Sequence, residues 1–325
     1  MGRRAWVAGV WLAAASAQAV VPGGYREERL SNGMLVSVLP DATRPVVATQ
    51  LWIHAGSALE AEGSRGLAHL FEHLMFGGTA AYPRGAYERL VHRHGGFENA
   101  YTSPDETVYH SEIAPEGHLE LLAIEADRMR ELEVTAENLE NEKRIVLEEL
   151  RLRTENDPLA RALVAAQRRL LGAHPYAFDA PGEKEDVEKA SLEAARSFRS
   201  AHYRPERAHL VVVGPVDPER VLAVARERFG AWEPGAVPQP SVPALTGWSF
   251  PREVDVREDL PPVEVAIVGV PLPPADHPDA AAVAVLVELL SGGPFDRFRE
   301  ELVVRRGRAL EGGTVVLRLR RGGVL

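Results

Sequence analysis

The chain has 325 residues and 45% hydrophobic content, which fits two domains at most and is ample for a core. Its net charge is −10 and its pI is near 5.6, which argues against nucleic acid as a partner. It contains no Cys, so disulfides and thiolate ligands are both excluded.

Residues 1–19 read as a secretory signal peptide. Arg3 and Arg4 form a basic start, Ala5 to Ala15 an apolar stretch, and Ala17-Gln18-Ala19 an A-x-A cleavage site. The apolar stretch is too short to span a bilayer, so no stable membrane span is expected. Arg3-Arg4-x-Trp6 also faintly resembles a twin-arginine signal, but the plain secretory reading is preferred. The expected location is periplasmic or extracellular in a bacterium. Removal of Arg3 and Arg4 takes the charge from −10 to −12.

Met34 to Leu39 and Val46 to His54 are apolar runs of strand length. A helix follows that carries His69-Leu70-Phe71-Glu72-His73, the H-x-x-E-H order of an inverted zinc-protease motif. On a helix, residues four apart lie about 40° apart in azimuth and about 6 Å apart along the axis. Two imidazoles so placed can grip one metal ion from the same side, with the Glu72 carboxylate beside it. Leu67, Leu70, Phe71 and Leu74 make the opposite face an apolar stripe. Between Gly66 and Gly78 there is no Lys or Arg, which is odd for a solvated face.

Gly95 to His110 contains a Gly-Gly turn and then a strand. Gly117 to Leu132 has helical period, and so does the acid-rich stretch 136–154. That second stretch is the best source of a third ligand. On its helical wheel Glu142 and Glu149 fall among Ile145, Val146 and Leu152, where a carboxylate is costly unless paired or metal-bound. Glu148 points away and reads as solvated. Two turns, about 10.5 Å, separate Glu142 from Glu149, so both are not expected on one ion. Glu149 is therefore expected as ligand, and Glu142 as the residue that steers a histidine or the substrate. The other nine histidines show no ligand spacing.

Pro158 to Leu171 and Ser191 to His202 continue as helices, and His209 to Gly214 is a buried strand. Asp217 caps a helix that runs to Phe229, with Pro218 at its first position. Strands and helices mix without βαβ alternation, so the class is α+β. Residues 233–246 are Pro-rich and read as a linker between a first domain, 25–232, and a second, 247–325. The second offers a strand at Val263 to Val270, a helix at Asp279 to Leu290 and a strand at Thr314 to Arg318 that would leave an open apolar edge.

With His69, Glu72, His73, Glu142 and Glu149 in place, the chain resembles the inverzincin peptidases: pitrilysin, insulin-degrading enzyme and the mitochondrial processing peptidases. Glu149 lies 76 residues after His73, the family's spacing, and Glu142 matches the family's Glu seven residues earlier. Further matches are Gly66-Leu67-Ala68-His69, Phe76-Gly77-Gly78-Thr79, Asn99-Ala100-Tyr101-Thr102, His174-Pro175-Tyr176 and Gly182. The resemblance spans roughly residues 25–290. It implies an antiparallel-rich sheet with helices on one face, as one full domain and a partial second copy that looks truncated. It also implies one Zn2+ per chain on His69, His73 and Glu149, with Glu72 as general base. Asn99 and Ala100 would hold an extended peptide at an edge strand.

The function expected is a zinc endopeptidase acting on unfolded peptides. The alternative is a non-catalytic or partner-dependent subunit, with a homodimer or a second chain completing the chamber. Two other readings stay open, a structural zinc protein and a metal-free acidic scaffold. The first would need a fourth ligand, and no Cys or further His lies near the motif.

Overall fold

The computed structural model describes residues 23–156, 158–236, 242–245, 252–253, 267–292 and 296–325. The expected signal at 1–19 and part of the linker lie outside the described residues.

Six strands form one mixed sheet. They are β1 (Arg26–Arg29), β2 (Leu35–Pro40), β3 (Val47–Ile53), β4 (Phe97–Thr102), β5 (Thr107–Ile113) and β6 (Ala208–Gly214), in the order β1-β2-β6-β3-β5-β4. The β2–β6 pair is parallel and the other four pairs are antiparallel. Period-2 alternation explains which face is covered. In β3, Val47, Thr49, Leu51 and Ile53 are buried, while Gln50 between them is exposed. Ala208, Leu210 and Val212 of β6 alternate with half-buried residues in the same way.

Helices cover that buried face. They are α1 (Leu67–Leu74), α2 (Ala86–Arg93), α3 (His118–Glu131), α4 (Ala136–Asn156), α5 (Pro158–Leu171), α6 (Lys184–Lys189), α7 (Leu192–His202) and α8 (Pro218–Phe229). The core joins Leu51, Leu210 and Val212 of the sheet to Leu70, Phe71 and Leu74 of α1, Val146 of α4, Phe198 of α7 and Phe229 of α8. The α+β class stands. Asp217 accepts from the Glu219 amide as the α8 cap, with Pro218 at the first position. β1, α2 and α6 are absent from the sequence reading because each is short; β1 and α6 are also polar, whereas α2 carries a single i, i+3, i+4 apolar set, Tyr87, Leu90 and Val91.

The C-terminal part is smaller. It holds β7 (Arg252–Glu253) paired with β8 (Val268–Gly269), and helix α9 (Ala280–Ser291). A three-stranded sheet of β9 (Pro271–Leu272), β10 (Leu317–Leu319) and β11 (Gly322–Val324) follows in the order β10-β11-β9. The strand expected at Thr314 to Arg318 is therefore shifted to Leu317–Leu319 and does lie at an edge. The glycine-rich Gly322–Val324, not expected as a strand, is the central one. A β hairpin supplies its backbone partners where side chains give no signal. Leu319 and Val324 pack with Leu170, Leu171 and Tyr176, which fastens this sheet to the first domain.

Helix α1 is pinned at its start. Gly66 has φ +96°, and Gly182 has φ +80° and lies against it; a Cβ on Gly182 would sit 2.1 Å from the Gly66 nitrogen. The buried Glu60 carboxylate accepts from the Gly66 amide (3.0 Å) and the Ala68 amide (2.7 Å), closing two of the helix's orphan donors. Burial pushes the Glu60 carboxyl up to about 8, against the pull of those two amides.

Gly182→Ala is expected to destabilise the fold by about 3 kcal/mol, since both the left-handed backbone and the contact are lost. A denaturant midpoint unchanged within error would show that this loop does not hold α1.

Candidate metal centre

Helix α1 divides its sides sharply. Leu70 and Phe71 are fully buried in the core, whereas the His69 and His73 side chains are partly exposed, on the side that α4 crosses. The two imidazole rings are 4.8 Å apart by centroid and nearly perpendicular. One Glu149 oxygen lies 3.7 Å from His69 Nε2 and 3.5 Å from His73 Nε2. Donor atoms of His69, His73 and Glu149 all lie within 4.8 Å of one another, the one such cluster among the described residues. Bonds of about 2.1 Å in a tetrahedron put neighbouring donors about 3.4 Å apart, so this set fits zinc after a small inward movement. Three donors also leave the fourth position open.

Glu149 does not lie in a buried apolar stripe, contrary to the expectation from the helical wheel. Glu149 is 46% exposed, and Ile145 and Leu152 on its row are exposed as well. The buried row of α4 is Leu139, Glu142, Lys143 and Val146. Helix α4 overhangs the edge of the core, so the wheel's apolar direction is not the buried one. Glu142 does sit in the buried row, with its side chain 4% exposed. Its Oε2 faces His73 Nδ1 at 3.6 Å, longer than a hydrogen bond, and its Oε1 accepts from Arg84 (2.7 Å). Glu148 pairs with Arg151 at the surface.

Glu72 is only 7% exposed and accepts a 2.5 Å bond from Thr102 Oγ1 on β4. Burial raises its pKa against the opposing effects of Thr102 and His73, and Glu149 raises it further. Burial, His73 and Arg153 push His69 down to about 4, so it is a neutral imidazole at neutral pH. For His73 burial acts downward, but Glu142, Glu149 and Glu72 outweigh it and the pKa rises. Burial acts upward on Glu142, and His73 and Arg84 outweigh it, so that carboxyl is lowered.

Asn99 and Ala100 lie on β4, which pairs with β5 and ends the sheet on its other side. The Asn99 side chain accepts from the Ala100 amide at 2.9 Å. Three contacts were missed from sequence. Arg84 is bonded to Glu142. Thr102 supports Glu72; its sign was that it shares a strand face with Ala100, two residues before it. Glu60 caps α1 from six residues upstream, beyond the reach of a capping-box pattern.

Residues 36–172 match Insulinase (Peptidase family M16), and residues 189–312 match Peptidase M16 inactive domain. The chain is 29% identical over 296 residues to zinc protease PqqE of Helicobacter pylori, covering 89% of this chain and 66% of that protein. It is 28% identical over 263 residues to cytochrome b-c1 complex subunit 1 of Bos taurus, covering 79% and 53%. It thus spans between about half and two thirds of the length of these curated relatives. The crystal structure of a protease from Helicobacter pylori superposes with a TM-score of 0.83 at 26% identity, over 92% of this chain and 73% of that one. The periplasmic protease PqqL of Escherichia coli shares the fold, at a TM-score of 0.70 and 19% identity over 93% of this chain and 35% of that one.

A zinc ion held by His69, His73 and Glu149 would compete with protons for His73. Affinity for zinc, read by competition with a chromophoric chelator, is expected to fall as the pH drops through the raised His73 pKa. Glu142→Gln removes the largest of the three carboxylate contributions that raise it. The fall should then begin at lower pH, while affinity at pH 8 drops about 10-fold through the lost outer contact. An unshifted profile would show that Glu142 does not tune His73.

Proposed function

Because the chain belongs to the M16 peptidase family, we propose that it is a zinc-dependent endopeptidase that hydrolyses unfolded peptides. The observation that carries this reading is the convergence of His69, His73 and Glu149 donors beside a buried Glu72. His69, His73 and Glu149 would hold one zinc ion. The ion, when bound, supplies Lewis-acid activation of water and of the scissile carbonyl.

The chain's own residues do the rest. Glu72 accepts the proton of the attacking water and returns it to the leaving amine, so the peptide bond is replaced by an acid and an amine. A raised pKa brings this carboxylate toward neutral, which suits both halves of that cycle. Thr102 holds the Glu72 oxygen, and Glu142 with Arg84 orients His73. The free edge of β4 receives the peptide in extended form, with Ala100 pairing by backbone. Asn99 must release the Ala100 amide for that to happen, which makes it a substrate-ordered side chain.

We assign residues 25–232 to the peptidase domain, 233–246 to a linker and 247–325 to a partial second domain of related fold. We place the protein outside the cytoplasm, from its first 19 residues. Among the described residues no helix is long and apolar enough to cross a membrane. A second reading, a partner-dependent or non-catalytic subunit, is favoured by the likeness to a cytochrome b-c1 complex subunit.

One assay separates the two readings. The purified chain should cut an unstructured peptide, lose activity to a chelator and regain it with zinc. Glu72→Gln should retain one zinc and lose at least about 1000-fold in kcat. One bound zinc without cleavage would sink the single-chain reading in favour of the subunit. Thr102→Val should lower kcat about 10-fold at unchanged zinc content, and Thr102→Ser should restore most of it. Equal rates in all three would remove Thr102 from the mechanism.

A further inference from the structure

Where the C-terminal sheet meets the first domain there is a cavity of about 370 Å³, lined among others by His54, Pro104, Asp105, Arg207, Arg320 and Arg321. Arg320 and Arg321 sit at the β10–β11 turn, which carries them to the β4–β5 turn of the main sheet. Asp105 fixes this arrangement. Its two oxygens accept from Tyr176 Oη (2.7 Å) and from the Arg320 backbone amide (2.8 Å). The Arg321 amide in turn donates to Tyr176 Oη at 3.2 Å. Asp105 is thereby occupied by donors that are not guanidinium groups.

The cavity wall is then rich in positive charge. Arg207 is 7% exposed and donates to the His54 carbonyl (3.0 Å). Burial, first, and the nearby Arg320 lower its pKa. Neither the Arg320 nor the Arg321 side chain makes a hydrogen bond or ion pair among the described residues. Asp276 is the one other carboxylate in the wall. Three guanidinium groups thus face two carboxylates.

The cavity lies close to the proposed base. Thr102, bonded to Glu72, ends β4; Pro104 is two residues on, at most about 7 Å of chain. An extended peptide on the β4 edge that continues past Thr102 reaches the β4–β5 turn, whose Pro104 and Asp105 form one wall of this space. We propose that the cavity binds a carboxylate of the substrate peptide a few residues from the scissile bond. This rests on the endopeptidase reading. The carboxylate is either an acidic side chain or the peptide's own C-terminus, and strand direction separates them. Antiparallel addition to β4 brings the peptide's N-terminal side past Thr102, so only an acidic side chain can reach. Parallel addition brings the C-terminal side, where a free terminus also can.

The test uses the full chain and one family of labelled peptides of equal length. Glu, Gln or Lys is placed at each of four positions on either side of the cut, with the C-terminus free or amidated. Binding is read by fluorescence anisotropy on Glu72→Gln, and cleavage on the wild type. The expected result is a preference of about fivefold for Glu over Gln at one or two adjacent positions on one side, or for a free over an amidated terminus, weakened by salt. Arg320→Ala/Arg321→Ala should bring that ratio to about one, and Arg320→Glu/Arg321→Glu should turn it in favour of Lys. Both arginines are exposed, so these variants should fold, and Tm and zinc content verify that they do. No preference in the wild type, or a preference that survives in both variants, overturns the proposal. Failure to cut any peptide while anisotropy still shows the arginine-dependent preference would instead overturn the endopeptidase reading and leave the cavity assigned.

Discussion

The site depends on one short helix that must be apolar on one side and ligand-bearing on the other. Eight residues are too few for a helix to be stable alone, so α1 exists because the core holds Leu67, Leu70, Phe71 and Leu74. Those contacts fix its rotation, and the rotation turns His69 and His73 toward α4. The helix has no side-chain cap of its own. The Glu60 carboxylate and the Gly66–Gly182 contact take that role from two distant loops. A structural glycine at position 182 and a carboxylate at position 60 thus set where two imidazoles lie.

Electrostatics complete what packing begins. Glu72, Glu142 and Glu149 gather around two imidazoles, with Arg84 as the guanidinium bonded to one of them. The two histidines respond in opposite ways. His69 lies deeper, and burial keeps it neutral; His73 faces the acids, which favour its proton. A dication would replace that proton and satisfy all three carboxylate fields at once. Among the described residues the buried Nδ1 of His69 has no hydrogen-bond partner, whereas Nδ1 of His73 faces a Glu142 oxygen at 3.6 Å.

Much of this was legible in the sequence. The strands β2, β3 and β6 were visible as apolar runs, as were the helices from His118 to Leu171 and the α8 cap at Asp217. His69, Glu72 and His73 follow from spacing on one helix, because a helix converts spacing into direction. Glu149 was reached by a partly mistaken argument: it lies outside the buried row, and the family spacing carried it. Burial on a wheel is a tertiary property, and α4 leaves the core before its apolar stripe ends. Thr102, Arg84 and Glu60 act across loops, where no periodicity records which side chain meets which. The β11 strand, Gly-Gly-Val, was invisible because its stability comes from backbone partners on both sides.

The burial of Glu72 bears on whether the site is used. A carboxylate that is 7% exposed costs stability unless something compensates, and one hydroxyl bond from Thr102 compensates only in part. A purely structural helix would be better served at that position by an apolar residue, which would join Leu70 and Phe71 in the core. The same holds for Glu142, buried and tied to both His73 and Arg84. Two costly acids beside three converging donors are hard to account for by folding alone. Proton transfer at Glu72 and tuning of His73 by Glu142, as proposed, would account for both costs, which the scaffold reading leaves without a reason.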